Sequence, residues 1–177
     1  MADQQQQPIS VLFVCLGNIC RSTMSEGVFQ SLAKKEPYKG LISKIDSCGT
    51  AGYHIGEEPD HRTMATLRAK GIKDYVHLGR KLRPSDFDTF DYIFAMDRSN
   101  LSDIQRVEQQ RKKSGSGSGS KAKVMLFGEH SGTGETEIVD DPYYGGHEGF
   151  EVAYEQATRF SRNFLREVFP HVKGEEV

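Results

Sequence analysis

Short runs of β-branched and aromatic residues alternate along this chain with longer segments in which apolar residues return every three or four positions. The run Ile9-Ser10-Val11-Leu12-Phe13-Val14 predicts a strand buried on both faces. Met24, Val28, Phe29, Leu32 and Ala33 then fall on one helical face, predicting a helix over 22–35 that Pro37 and Gly40 end. A second strand is predicted at 44–47, running into a turn at Gly49 and Gly52. Pro59 and Asp60 open the next helix, which carries Met64, Leu67 and Arg68 and stops at Gly71. The stretch 75–82 reads as a short ordered connection, and Pro84 begins a turn. A third strand is predicted at 90–96, a helix at 100–110 through Leu101, Ile104 and Val107, and a fourth strand at 123–127. Phe150, Ala153, Tyr154, Ala157, Phe160, Phe164 and Leu165 mark a long amphipathic C-terminal helix. This alternation, without internal repeats, predicts an α/β fold: one domain with a central four-stranded parallel sheet and helices on both faces.

Composition narrows the picture. A chain of 177 residues is expected to build one domain, here 9–172, between a flexible polar tail at 1–8 and a C-terminal tail at 173–177. Twenty-three Lys plus Arg against twenty-five Asp plus Glu give a net charge of -2, which argues against nucleic acid as a partner. No apolar run approaches the roughly 18 residues that cross a bilayer, so no membrane partner is expected. The opening MADQQQQP lacks the basic and apolar regions of a secretory signal, and three cysteines do not make a disulfide scaffold. A cytoplasmic protein, monomeric or weakly dimeric, is the expectation. The Gly/Ser alternation at 114–121 reads as a flexible surface loop inside the domain. It is no nucleotide loop, because Ser120 stands where a glycine must precede Lys121. His54 and His61, among Glu57, Glu58 and Asp60, fit no zinc spacing and read as solvated surface, so neither metal nor cofactor is expected.

The stretch Val14-Cys15-Leu16-Gly17-Asn18-Ile19-Cys20-Arg21-Ser22-Thr23 carries the chemistry. A buried strand delivers Cys15 to its C-terminal end and a helix begins near Ser22, which places a phosphate-binding loop between the first strand and first helix. Backbone N–H groups turned inward by such a loop form an anion cradle, and Arg21 can clamp two oxygens of a tetrahedral oxyanion. The same dipoles favour the thiolate of Cys15. A sulfur nucleophile beneath an oxyanion cradle is what phosphoryl transfer to sulfur requires.

With Asp141-Pro142-Tyr143-Tyr144 as a second matching element, the chain from Ile9 to near its C-terminus resembles the low-molecular-weight protein tyrosine phosphatases. The resemblance implies that Cys15 attacks phosphorus to give a cysteinyl-phosphate. It implies that Arg21 and the backbone from Leu16 through Gly17, Asn18, Ile19 and Cys20 to Ser22 hold the equatorial oxygens. Ser22 would stabilise the thiolate, and Asp141 would protonate the phenolic leaving oxygen and then activate water. A bell-shaped pH profile with an acid-side optimum follows. Asn18, Ser47 and His77 match a hydrogen-bond network supporting the loop, and Tyr53, Tyr143 and Tyr144 match aromatic walls around the substrate ring. Asp97 is either an orienting group for the cradle or the cap of the following helix. Cys15 and Cys20 form a pair also found in similar phosphatases; if the loop closes tightly, a reversible disulfide would protect the nucleophile. Cys48 reads as core. Thr23 departs from the Pro common in the family at the first helical turn, with a small loss of rigidity expected.

The implied substrates are tyrosine-phosphorylated proteins and small aryl phosphates. The related protein-arginine phosphatases carry Thr where Ile19 stands and lack the tyrosine pair. Arsenate reductases need two further cysteines near the loop, and a non-catalytic phosphoprotein-binding module would be expected to have lost Cys15, Arg21 or Asp141.

Overall fold

A computed structural model describes residues 6–115 and 120–172. The expected N-terminal tail therefore lies largely outside the described residues, as do the core of the Gly/Ser segment and the C-terminal tail. Strand β1 (Ile9–Cys15) is central, and the sheet order is β2-β1-β3-β4, with β2 at Ile42–Gly49, β3 at Tyr92–Ala95 and β4 at Lys123–Leu126. Every pairing is parallel: Phe13 stands opposite Ser47 on one side and opposite Phe94 on the other. The helices are α1 (Arg21–Ala33), α2 (His61–Ala69), α3 (Asp86–Thr89), α4 (Arg98–Lys113) and α5 (His147–Val168).

The alternation of β1 decides what covers each face. Val11, Phe13 and Cys15 point into a core shared with Phe29 of α1 and with Phe160, Phe164 and Leu165 of α5. Leu12 and Val14 point the other way, toward Phe87, Ile93 and Ile104 beneath α3 and α4. The first core is held by aromatic edges. The Phe13 ring lies 5.4 Å from Phe29 and 5.1 Å from Phe127, in each case at a steep angle, the geometry that ring quadrupoles favour. Helix α2 lies outside this layer, where Leu67 packs with Met24, Val28, Phe150 and Ala157.

Element boundaries differ from the expectations at their ends. Strand β2 is longer than predicted, because its polar first half still pairs with β1 as a sheet edge. Helix α5 starts earlier, at His147, since Gly146 can cap it with no side chain. The turn at Pro84 closes into α3, where Asp86 accepts from the Arg83 amide at 2.8 Å. The fourth strand stops at Leu126, and Phe127–His130 forms a 3₁₀ turn. These parallel strands bring β1, β3 and the segment after β4 to one carboxyl edge, where the site is built.

Candidate active site

Cys15 ends β1 and Arg21 begins α1, so residues 16–20 cross from sheet to helix in one tight loop. The first amides of a helix have no partner in the preceding turn, and here they stand where the loop meets α1. Asn18 makes the turn possible in a left-handed conformation (φ 58°) that side chains other than glycine rarely adopt. Four hydrogen bonds hold it there. Its Nδ2 donates to Ser22 Oγ and to Ser47 Oγ, both at 2.9 Å, while its Oδ1 lies 2.7 Å from His77 Nε2 and accepts from Arg80 N at 3.1 Å.

These bonds set the environment of the sulfur. Because Ser22 Oγ accepts from Asn18, its own proton is left for Cys15 Sγ, 3.0 Å away, and the Asn18 amide donates to the same sulfur at 3.3 Å. The Asn18 amide and the Ser22 hydroxyl thus converge on a buried sulfur. Cys20 lies in the same loop, and burial, with Asp60 nearby, pushes its thiol up to about 12. It remains protonated at neutral pH. Cys48 is fully buried on the opposite face of the sheet from Cys15.

Behind the loop the network continues into residues that sequence reasoning did not select. Ser47 donates to Glu26 Oε1 at 2.7 Å, and Tyr75 OH donates to the same oxygen at 2.7 Å. Burial outweighs those bonds and raises Glu26 to about 7, while burial lowers His77. His77 Nδ1 stands 3.3 Å from Glu26 Oε1. Glu26, His77 and Asp46 bring three potential ligand atoms within 4.8 Å. Each is already engaged within the protein: Asp46 by Arg80 Nε at 2.9 Å, Glu26 by Ser47 and Tyr75, His77 by Asn18.

Arg21 is 3% exposed, and its guanidinium is aimed by two fixed acceptors, Asp97 Oδ2 at 2.5 Å and the Val139 carbonyl at 3.1 Å. Asp97 also accepts from Asn100 N at 2.7 Å at the start of α4, so orienting and capping are both done by one carboxylate. Asp141 Oδ2 stands 3.8 Å from Arg21 Nη2, and its Oδ1 accepts from the Tyr143 amide at 3.1 Å. A cleft of about 250 Å³ joins Cys15, Leu16, Ile19 and Arg21 to Asp141, with Tyr53, His54, Tyr143 and Tyr144 around its mouth. His54 corrects the solvated-surface expectation: it lines this cleft, with its Nδ1 2.6 Å from Glu57 Oε2. A methyl added at Gly17 would stand 3.1 Å from the His54 ring, so that glycine lets the histidine lie against the loop.

Fold and cleft together define a class: an α/β protein with a buried thiol under an oxyanion cradle, and a carboxylate and aromatic walls across the opening. The chain belongs to the low molecular weight phosphotyrosine protein phosphatase family, whose model matches residues 10–173. The phosphatase of that name from Schizosaccharomyces pombe is 53% identical, covering 90% of this chain and 97% of its own. A protein tyrosine phosphatase from Entamoeba histolytica superposes with a TM-score of 0.79 at 31% identity, covering 92% of this chain and 98% of the other. A Drosophila arginine phosphatase superposes equally well, with a TM-score of 0.79 at 36% identity over 94% and 99% of the two chains. The fold is thus shared by proteins named for two different substrates.

Proposed function

We propose that this protein is a cysteine-dependent protein tyrosine phosphatase, acting on phosphotyrosine in proteins and on small aryl phosphates. The observation that carries this reading is the juxtaposition, in one cleft, of a doubly hydrogen-bonded Cys15 sulfur, the fixed Arg21 guanidinium and Asp141 beneath paired tyrosines. The phosphoryl oxygens sit on the loop amides from Leu16 to Ser22 and on Arg21, which stabilise the charge of the transition state. Cys15 Sγ forms the S–P bond as the P–O bond to the aryl leaving group breaks, and Asp141 delivers its proton to the departing phenolate. Water then attacks phosphorus with Asp141 as base, the S–P bond breaks, and Ser22 steadies the leaving thiolate. All groups needed for both steps come from the chain, so the reaction is expected to proceed in chelator.

Substrate choice follows from the walls. Tyr53, Tyr143 and Tyr144 suit the faces of a phenyl ring, and Ile19 offers an apolar surface beside the phosphate where a guanidinium would find no acceptor. The recessed sulfur favours the long phosphotyrosine over phosphoserine. The likeness to an arginine phosphatase keeps phosphoarginine as the competing substrate.

Oxidation of Cys15 to the sulfenic acid by a peroxide, whose O–O bond breaks and whose other oxygen leaves as water or alcohol, followed by condensation with the neighbouring Cys20 thiol and loss of water, would give a protective disulfide. A reducing, cytoplasmic compartment suits a nucleophile that must remain a thiolate. The test is hydrolysis in chelator of phenyl phosphate and of phosphotyrosine, phosphoserine and phosphoarginine peptides, with Cys15→Ser alongside. Turnover of the aryl substrates that disappears in the variant is expected. A preference for phosphoarginine would overturn the substrate, and full activity in Cys15→Ser would overturn the mechanism.

A further inference from the structure

We propose that Arg62 is a positioning residue for proton donation: held from the phosphate-loop side of the cleft, its guanidinium stacks on Tyr143 and thereby sets Asp141. The proposal rests on the reading of Asp141 as the proton donor given above.

The argument runs along one chain of contacts. The Asp60 amide donates to the carbonyl of Ile19, in the phosphate loop, at 2.9 Å. The Asp60 carboxylate caps α2 by accepting from Arg62 N at 2.8 Å, and it also takes the guanidinium through Nε at 3.0 Å and Nη2 at 2.9 Å. A guanidinium held by two parallel bonds has a defined plane. It lies 4.6 Å from the ring centroid of Phe150, a fully buried residue of α5, and 5.5 Å from that of Tyr143. Tyr143 is tied to Asp141, because the Tyr143 amide donates to Asp141 Oδ1 at 3.1 Å.

The acid-bearing loop has few other anchors on this side. From Asp140 to Glu148 every residue except Pro142 is exposed. Pro142 is seated against Gly149, where a methyl would meet its Cβ at 3.0 Å. Arg62 therefore supplies the lateral contact to Tyr143 that faces the cradle. It is absent from the cleft lining, so it acts through the tyrosine rather than on the phosphate.

The experiment compares kcat/KM for two esters that differ in their need for a proton. Phenyl phosphate expels a basic phenolate and needs the acid; dinitrophenyl phosphate expels a stable anion and does not. For Arg62→Gln we expect a loss of about tenfold on phenyl phosphate, within the roughly 10²–10⁴ that proton donation supplies. No change is expected on dinitrophenyl phosphate or in competitive inhibition by inorganic phosphate. Arg62→Lys, which keeps the cation but not the fork, should fall between. Equal losses on both esters, or weakened phosphate inhibition, would place the effect in the cradle or the fold and overturn the proposal, as would no loss on either. Asp141→Asn is measured alongside. If it shows no selective loss on phenyl phosphate, the proton-donor assignment fails; if it does and Arg62→Gln does not, only the role of Arg62 fails.

Discussion

On one side of the cleft Asn18, Ser22 and Ser47 are buried, each bound to at least two partners, and the Arg21 guanidinium is aimed by Asp97 and a main-chain carbonyl. On the other side Asp141 is 38% exposed and Tyr144 is 91% exposed, and their loop rests on Pro142, Gly149 and the Arg62 stack. The difference follows from the role proposed for each half. An oxyanion is held best by donors that need not reorganise, which requires burial and saturated hydrogen bonds. A group that gives up a proton and takes one back must meet water between the two steps, which requires exposure and a lightly tethered loop. Damage to the groups that hold the oxyanion in the first half should therefore weaken binding and chemistry together, whereas damage to the second should spare binding and change the dependence on the leaving group.

Removal of the nucleophile is expected to have the largest effect. Cys15→Ser should lower kcat by on the order of 10⁴-fold or more, while the folded protein still binds inorganic phosphate, as measured by calorimetry. Asp141→Asn comes next, with a loss in kcat/KM of about 10²–10³-fold on phenyl phosphate and little on dinitrophenyl phosphate. Bound phosphate should still protect the variant thiol from alkylation. Asn18→Ala removes four hydrogen bonds and leaves an alanine at φ 58°, so unfolding in denaturant should show a loss of about 2–4 kcal/mol. Both esters should suffer alike, the opposite signature from Asp141→Asn. Gly149→Ala presses on Pro142 and should shift activity several-fold with the acid-side signature and a small change in Tm.

The smallest effect concerns the buried carboxyl behind the cradle. Folding raises Glu26 from 4.5 to about 7, so the folded state binds more protons across that window. Stability contributed by this group is present below the lower value and is lost as pH rises toward the upper one, with a slope of at most about 1.4 kcal/mol per pH unit. Burial lowers His77, which acts in the opposite sense below 6.5, so the measurement is the difference in Tm between the wild type and Glu26→Gln across pH 4.5–7. A flat difference would contradict the raised carboxyl.

How much of this was legible in the sequence depends on distance along the chain. The cradle was, because strand, loop and helix are contiguous from Val11 to Val28 and the thiol and guanidinium stand six positions apart in that segment. Asp141 became legible only through its neighbours Pro142, Tyr143 and Tyr144, since a lone aspartate in a polar stretch has no signature. Ser47, His77 and Asp97 came from family resemblance. Glu26, Tyr75 and Arg80 were missed because they read as an ordinary polar helix position and two loop residues. Their roles exist only once β2 and the segment 75–80 lie behind Asn18. His54 and Arg62 were missed for a related reason. Charged neighbours such as Glu57 and Asp60 suggest solvated pairs, and only the folded loop shows that those pairs aim the histidine at the cleft and the arginine at Tyr143. Helix and strand ends shifted because capping at Gly146 and edge pairing of β2 are decided by tertiary contacts rather than by apolar periodicity.

The account turns on Cys15 carrying the phosphoryl group, and rapid quenching of Asp141→Asn during turnover of dinitrophenyl phosphate, which needs no acid to form the intermediate but lacks the base that removes it, tests it most directly. Peptide mapping by mass spectrometry is predicted to find one phosphoryl group, on the peptide containing Cys15, appearing before free phosphate and absent from the Cys15→Ser variant. Turnover with no phosphorylated intermediate, or a label on another residue, would contradict the account.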